Sequence, residues 1–253
     1  MQTITFIGNG NMALSIAQGL KNTYHIEIVG RDMSKLERFE SKLETNVDKY
    51  LLDDFDITEK TILLCVKPNN IEQVSKQLKG KATVLISILA GTTIESLQTH
   101  FNATSVVRAM PNLAASKQAS MTTLTGDTTY KEKALSILGA IGQTLWLNSQ
   151  KELDIATALA GSGPAYLALI AEALADGAVK QGLKRDDALA ITRGLFDGFG
   201  KLIQDIHPAL LKDGVMSPGG TTAAGYGALE DSGVRAGCIN AIESAYKRAL
   251  ELG

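Results

Sequence analysis

The first 147 residues alternate short β-branched runs with segments of helical periodicity, and this alternation constrains the fold more than any other feature of the chain. A helix is predicted over Met33–Leu43, where Leu36, Phe39 and Leu43 recur three and four residues apart. Such alternation is typical of an α/β fold, a doubly wound parallel sheet with crossover helices. The predicted strands are Thr3–Ile7 and residues 26–29, 61–65, 83–88, 105–108, 121–124 and 144–147.

After Glu152 the strand pattern stops, and Ala, Leu and Gly follow at helical spacing as far as Leu252. We therefore predict two domains, an α/β domain over residues 1–150 and an all-helical domain over residues 151–253. Residues 165–179 carry only two charges, Glu172 and Asp176, so nearly the whole circumference of that helix is apolar. A domain of about a hundred residues has few internal surfaces to bury it, which favours a homodimer through these helices. Packing of the helices on each other alone is the alternative, and larger assemblies of dimers are left open.

A glycine-rich turn joins the first predicted strand to a helical stretch that ends at Leu20. Its pattern is the GxGxxA fingerprint of Rossmann-type dinucleotide sites, in the required strand-turn-helix context. Gly8 permits the tight turn, Gly10 lets the backbone approach a pyrophosphate, and Ala13 packs the helix closely on the strand. The predicted cofactor contacts in this turn are Ile7, Gly8, Asn9, Gly10, Asn11 and Met12.

The end of the second predicted strand bears on the choice of cofactor. An NAD-selective site places Asp or Glu there to bind the ribose 2′-hydroxyl. This chain has Arg31, whose guanidinium suits a 2′-phosphate, followed at once by Asp32. The pattern favours NADP(H) and leaves NAD(H) open.

Three further loops follow predicted strands, at the sheet edge where doubly wound folds bind their ligands. Small residues such as Ala90 and Gly91 allow the dinucleotide to pass close to the backbone. A lysine in a loop, such as Lys67, is more often simply solvated, and Asn112 reads equally well as a structural turn residue. The predicted cofactor contacts in these loops are Val66, Lys67, Pro68, Ala90, Gly91 and Asn112.

The run Ser217, Pro218, Gly219, Gly220, Thr221 and Thr222, followed by a helical stretch over residues 223–231, combines hydroxyls with a helix N-terminus. Glycines let the backbone approach a ligand, and the amides of Gly220, Thr221 and Thr222 would point toward an anion. This predicts a cradle for a small carboxylate. The alternative is an ordinary helix cap formed by Ser217 or Thr221.

The composition and the net charge argue against several classes of function. A net charge of −2 offers no general attraction to nucleic acid or anionic lipid. No run of about 18 apolar residues and no signal peptide is expected, so a cytoplasmic protein without membrane contact is predicted. Cys65 and Cys238 match no metal-binding spacing and are predicted to be buried residues of a reducing compartment, with no metal site.

Taken in order along the chain, these motifs resemble the pyrroline-5-carboxylate reductase family over essentially the whole length. Beside the N-terminal fingerprint, the resemblance includes the run from Arg108 to Asn112, the run from Gly161 to Tyr166, and the 217–222 run with Leu229 and Glu230 downstream. It implies reduction of the cyclic imine Δ1-pyrroline-5-carboxylate to L-proline with NAD(P)H, in a dimer whose helical domains interlock and whose active sites use both subunits.

The resemblance also implies residue roles. Thr222 matches the hydroxyl that binds the ring nitrogen, and Ser217 with the amides of Gly220, Thr221 and Thr222 matches the carboxylate cradle. Gly219 is also predicted to bind the substrate. Two positions depart from the family pattern: Met216 replaces a small residue, and Gly227 replaces a larger one. They put the shape of the cradle and the substrate affinity in doubt.

Three alternatives are weighed against this interpretation. A β-hydroxyacid dehydrogenase would carry a catalytic Lys soon after the glycine-rich start of the long helix, and residues 164–170 contain none. Reduction of another cyclic imine stays open, as does a non-catalytic protein that binds a dinucleotide. Of the three histidines, His207 is nearest the cradle in sequence, but a solvated helix-terminal role is favoured for it.

Overall fold

A computed structural model describes residues 1–251; Leu252 and Gly253, at the end of the predicted helical domain, lie outside the described residues. Two compact units are present, one comprising Met1–Pro164 with the chain from Ser244 on, the other Ala165–Glu243. The helical prediction for the second half of the chain begins at residue 151, whereas this division falls after Pro164.

Within residues 1–251, the first unit contains ten strands. Their bounds are β1 Thr3–Ile7, β2 His25–Gly30, β3 Asp48–Leu51, β4 Phe55–Asp56, β5 Thr61–Leu64, β6 Leu78–Lys79, β7 Ala82–Ser87, β8 Ala103–Met110, β9 Ser120–Gly126 and β10 Gly142–Trp146. The seven predicted strands are confirmed, with ends shifted by two residues or fewer. The prediction missed β3, which is short and polar at the sheet edge, and the pair of two-residue strands β4 and β6.

Five helices accompany these strands: α1 Asn11–Leu20, α2 Met33–Leu43, α3 Ile71–Ser75, α4 Ile94–His100 and α5 Lys131–Gly139. The predicted bounds of α2 are confirmed, and Leu36, Phe39 and Leu43 are buried as the periodicity requires. Side chains of α1, α2 and α5 pack in one hydrophobic cluster with β1 and β2, while α3 and α4 belong to a second cluster. The sheet is therefore covered on both faces, as predicted for a doubly wound fold.

Eight strands form the main sheet in the order β10-β9-β8-β7-β5-β1-β2-β3. The prediction of a fully parallel sheet is wrong at one edge, because β8 and β9 pair antiparallel. Only residues 111–119 connect them, including a 3₁₀ turn over Leu113–Lys117. A parallel crossover needs a dozen residues or more, so this short connection forces the chain to reverse.

Six helices continue the chain: α6 Gln150–Ala156, α7 Gly163–Lys180, α8 Arg185–Asp205, α9 Pro208–Val215, α10 Thr221–Asp231 and α11 Val234–Glu251. A π-helical turn, Thr157–Gly161, links α6 to α7. The apolar circumference predicted for residues 165–179 is largely exposed in the single chain, where Leu169 is 67% exposed; on α11, Ile239 is 55% exposed. Such surfaces are expected where another subunit covers them.

The helical stretch Gln150–Lys180 is long and apolar enough to span a membrane, by length and composition alone. Its most apolar 18-residue window has a mean hydropathy of 1.4. The expectation that no such window exists was therefore wrong, because the many Ala, Leu and Ile residues outweigh the few charged ones in the average. The same apolar circumference is what predicted a subunit interface.

Candidate cofactor and substrate sites

The turn after β1 is built around a glycine that any larger residue would strain. Gly8 has φ +105°, a conformation that L side chains rarely adopt, and its N–H donates to the Val29 carbonyl at 3.0 Å. A Cβ on Gly8 would lie 2.7 Å from the carbonyl oxygen of Cys65, at the end of β5. The turn is thus pressed between two strand ends, which holds the start of α1 in place.

Gly10, two residues on, has open space instead. It is the N-cap of α1, no side chain caps that end, and a Cβ there would meet nothing within 4 Å. The first helical bond runs from the Leu14 N–H to the Gly10 carbonyl, so the amides of residues 11–13 have no partner within the helix. An uncapped N-terminus with room in front of it fits a dinucleotide pyrophosphate.

A cavity of about 430 Å³ lies against this turn at the carboxyl ends of β1, β2 and β5. Leu52, Asn70 and Val74 also line it and were not predicted from the sequence. Of these, only Asn70 could have been found, because it ends the short turn that begins at Pro68, a residue already predicted to contact the cofactor. Seven of the predicted cofactor contacts line it: Ile7, Gly8, Asn9, Gly10, Arg31, Val66 and Lys67.

Arg31 and Asp32 have different surroundings. Arg31 lines the cavity, and its guanidinium donates to Gln73 Oε1 at 3.3 Å. Asp32 caps α2: its Oδ1 accepts from the Ser34 amide at 3.0 Å and from the Ser34 hydroxyl at 2.7 Å. The hydrogen bond from that hydroxyl lowers the pKa of Asp32. The Asp32 carboxylate therefore caps its own helix, whereas the exposed Arg31 guanidinium lies at the cavity.

The remaining predicted cofactor residues lie elsewhere. Asn11 and Met12 are in the first turn of α1, and Ala90 is half-buried after β7. Pro68 and Gly91 line a separate cavity of about 240 Å³. Gly91 has φ +72°, so its turn requires glycine.

Asn112 is occupied by backbone groups. Its Oδ1 accepts from the Ala114 amide at 3.0 Å, and its Nδ2 donates to the Ala160 carbonyl at 2.9 Å. Pro164, four residues after Ala160, has no N–H to offer that carbonyl. Asn112 thus supplies a donor to the π-helical turn, which is the structural role weighed for it. Arg108, on the preceding strand, ties the same region down through Asp154 at 2.7 Å.

The second glycine pair precedes α10. Gly219 has φ +71°, and Gly220 is the N-cap. No side chain caps this end, so the alternative of an ordinary cap by Ser217 or Thr221 is wrong. The helix begins at Thr221, two residues earlier than predicted. Ser217, Gly219, Thr221 and Thr222 are exposed and Gly220 is half-buried.

One amide of the predicted cradle is already used. The Gly220 N–H donates to the Ser217 carbonyl at 3.0 Å and closes the turn, so it is not free as predicted. The first helical bond is from the Ala224 N–H to the Gly220 carbonyl, which leaves the amides of Thr221, Thr222 and Ala223 for an anion. The set of free amides therefore lies one residue further into the helix than predicted.

Other candidate groups are engaged elsewhere. His207 caps α9 by accepting from the Ala209 amide at 3.3 Å, the helix-terminal role favoured for it. Cys65 is half-buried, but Cys238 is exposed on α11, so its predicted burial is wrong for the single chain. Among residues 1–251, no three His, Cys, Asp or Glu side chains converge as a metal site would require.

Comparisons with known proteins agree along the chain. A family model described as pyrroline-5-carboxylate reductase dimerisation matches residues 150–252, and one described as NADP oxidoreductase, coenzyme F420-dependent, matches residues 3–91. The pyrroline-5-carboxylate reductases of Helicobacter pylori strain J99 and Synechocystis are 32% and 37% identical, over 98% of this chain and 99% and 97% of theirs.

Solved structures give the same result. The Streptococcus pyogenes 1-pyrroline-5-carboxylate reductase is 31% identical with a TM-score of 0.86, over 98% of both chains. The Plasmodium falciparum pyrroline carboxylate reductase, solved with NADP bound, shares the fold at 24% identity with a TM-score of 0.82, over 100% of this chain and 98% of that one.

The fold and the domain matches define an NAD(P)-dependent oxidoreductase with a helical dimerisation domain. Relatives more than 30% identical over nearly the full length make the assignment more specific. The chain belongs to the pyrroline-5-carboxylate reductase family, which reduces Δ1-pyrroline-5-carboxylate to L-proline in the last step of proline biosynthesis.

Proposed function

We propose that the two uncapped helix N-termini divide the work of this reduction, the start of α1 holding the cofactor and the start of α10 holding the substrate. The observation that carries this assignment is their common construction. Each has a positive-φ glycine, a glycine N-cap and three amides without helical partners. Each therefore offers partial positive charge to an anion, the pyrophosphate in one case and the imino-acid carboxylate in the other.

The domain assignment follows from this division. Residues 1–150 bind the dinucleotide, and residues 151–253 form the dimerisation and substrate domain. The proposed cofactor contacts are those predicted from sequence: residues 7–12, Arg31, residues 66–68, Ala90, Gly91 and Asn112. Asn112 is the weakest of them, because backbone groups occupy both ends of its amide.

In the proposed mechanism, bound NAD(P)H supplies the hydride. Ser217, Gly219, Gly220 and Thr221 shape the turn, and the amides at the start of α10 hold the carboxylate. Thr222 hydrogen-bonds the ring nitrogen and orients the imine carbon. A protonated imine is already electrophilic, so positioning and charge complementarity can carry most of the acceleration without a strong base.

NADP(H) is the preferred cofactor in this proposal. Support comes from Arg31, which lines the cavity beside the glycine turn, and from Asp32, whose carboxylate caps α2. NAD(H) would bind more weakly, because its ribose hydroxyl offers Arg31 no charge.

The protein is further proposed to be cytoplasmic and free of membranes, with the apolar stretch 150–180 covered by the partner subunit. The interlocked helices bring both chains to each active site. Two free cysteines suit a reducing compartment.

The experiment that tests the proposal follows nicotinamide absorbance on adding Δ1-pyrroline-5-carboxylate, with NADPH and NADH in parallel. Oxidation with proline formed, faster with NADPH, is expected. Faster turnover with NADH would remove the proposed role of Arg31. Tight NADPH binding without oxidation would contradict the substrate assignment and favour another cyclic imine.

A further inference from the structure

Four side chains brace the helices on either side of the substrate cradle. Lys212 lies on α9, just before the cradle; Tyr226 and Glu230 lie on α10, just after it; and Arg235 lies on α11. We name these four residues the α10 brace. Sequence reasoning singled out Glu230 as a motif residue but gave no role to the other three.

The phenol of Tyr226 is held from two sides. Its hydroxyl donates to the Glu230 carboxylate and accepts from Arg235 Nη2 at 2.6 Å. Its ring lies under the Lys212 ammonium, with Nζ 5.3 Å from the ring centroid, within the range of a cation–π contact. One side chain therefore links α9, α10 and α11.

Glu230 is the anionic centre of the brace. Arg235 approaches it through Nε at 3.1 Å from both carboxylate oxygens, and through Nη2. The hydrogen bonds from Arg235 and then from Tyr226 lower the pKa of Glu230 to about 2. The carboxylate thus stays charged at any physiological pH and holds the Tyr226 hydroxyl in one orientation. Because the Arg235 side chain is 65% exposed, the brace contributes geometry more than stability.

The position of the brace gives it a consequence for the reaction. Residues four apart share a helix face, so Thr222, Tyr226 and Glu230 lie in one row along α10. Lys212 comes five residues before Ser217, where the cradle begins. The intervening loop contains Gly219, whose missing side chain leaves open space around it. The Gly220 N–H closes the turn on the Ser217 carbonyl, and the contact of Lys212 with Tyr226 adds a link from α9 to α10 across this loop.

We propose that Tyr226 is a positioning residue for the reduction, which holds α9 against α10 so that Ser217 and the Thr222 hydroxyl face the same substrate. Tyr226 need not touch substrate or cofactor to do this. The inference rests on the proposed roles of the cradle and of Thr222. It assigns to Tyr226 and Lys212 a specific effect on substrate binding and none on the cofactor.

The test compares Tyr226→Leu, Tyr226→Phe and Lys212→Met in the full-length enzyme. Tyr226→Leu removes ring and hydroxyl, and should raise KM for Δ1-pyrroline-5-carboxylate by about 5- to 20-fold. Lys212→Met should raise it similarly, and the double variant should be no worse than either single one, because both remove one contact. Tyr226→Phe keeps the ring under Lys212 and should recover most of the affinity. KM for NADPH should stay constant throughout.

Tyr50→Leu is the matched control, since Tyr50 is a 40% exposed tyrosine on the edge strand β3. An unchanged substrate KM in Tyr226→Leu would overturn the inference, as would additive effects of Tyr226→Leu and Lys212→Met. Equal rises in both KM values would also overturn it by showing a general loss of structure. Should Tyr226→Leu fail to fold, Tyr226→Phe and Lys212→Met decide the case by the same KM comparison.

Thr222→Ala separates this inference from the proposed function. Loss of turnover in Thr222→Ala with normal substrate KM in the Tyr226 and Lys212 variants would reject the inference alone. Normal turnover in Thr222→Ala would instead reject the role of Thr222 whatever the Tyr226 variants do.

Discussion

The starts of α1 and α10 have nearly the same backbone but very different surroundings. The N-cap dihedral angles are −76° and 178° at Gly10, and −77° and 167° at Gly220. Both helices lack a side-chain cap, and both follow a glycine with positive φ. Gly8, however, is pressed against the Cys65 carbonyl, whereas a Cβ on Gly219 would meet nothing within 4 Å.

This difference separates a site completed by its own unit from one that is not. The first glycine pair is fixed by strands β1, β2 and β5, and the cavity beside it is lined by residues of the same unit. The second pair lies in an exposed loop whose support comes from α9, α10 and α11. Since the chain belongs to a family with a dimerisation domain, we expect a second subunit to pack on the exposed helices of this half of the chain.

The largest effect is expected from Gly8→Ala. The new Cβ would lie 2.7 Å from a backbone oxygen that cannot move aside, in a conformation that alanine avoids. The cost should be about 3 kcal/mol or more, which lowers Tm by about 6 °C or more. Thermal unfolding checks the stability, and NADPH titration should show binding lost. Gly10→Ala is the control. Its Tm should stay within about 2 °C of the parent protein, but its affinity for NADPH should fall, because the new Cβ enters only the open space proposed for the ligand. A normal Tm for Gly8→Ala would break the comparison.

Thr222→Ala should come next. If its hydroxyl bonds the ring nitrogen mainly in the transition state, kcat should fall by about 10- to 1000-fold. Thr222→Ser keeps the hydroxyl and should retain most activity. Steady-state kinetics with both variants, together with an NADPH titration that stays unchanged, place the effect at the second helix N-terminus. Unchanged kcat in the alanine variant would remove Thr222 from the mechanism.

Arg31→Gln sharpens the comparison on the cofactor side. A charged bond to a 2′-phosphate is worth about 1.5 to 3 kcal/mol, so kcat/KM with NADPH should fall by about 10- to 100-fold. The value with NADH should hardly change, because no phosphate is present. Arg38→Gln, on the exposed face of α2, is the matched control and should affect neither cofactor. Equal losses with NADPH and NADH would show that Arg31 does not read the phosphate.

How far the sequence predicted this fold depends on how local the controlling interactions are. The bounds of α2 were predicted because three buried apolar residues and the cap at Asp32 all lie within twelve residues. The antiparallel pairing of β8 with β9 was missed because it depends on the length of one connection and not on hydrophobic pattern. The exposed apolar surface of residues 165–179 was predicted, because a helix with only two charges has more apolar surface than a small helical domain can bury.

For the sites, the sequence predicted the glycines better than the polar partners. Gly8 and Gly219 stand where a positive φ demands glycine, while Gly10 and Gly220 are N-caps with ordinary extended backbone, and all four are visible in the motifs. The partner of an individual donor is not visible, so the Gly220 amide was taken as free, and the bond from the Asn112 amide to the Ala160 carbonyl was not predicted. The α10 brace was missed for the same reason, because Arg235 meets Tyr226 only after α10 and α11 have packed.

The smallest effect is expected at Gly219, and it tests the comparison most directly. Gly219→Ala places a Cβ in open space, so only the left-handed backbone is strained, at about 1 kcal/mol. Tm should fall by about 2 to 4 °C, far less than in Gly8→Ala, with little change in NADPH binding. Gly220→Ala puts its Cβ 2.5 Å from the Ser217 hydroxyl oxygen, which can rotate away. That variant should raise the substrate KM more than Gly219→Ala while leaving Tm closer to the parent, because its φ of −77° suits alanine. If Gly219→Ala lowered Tm as much as Gly8→Ala does, the N-terminus of α10 would be as tightly enclosed in the assembled enzyme as the N-terminus of α1.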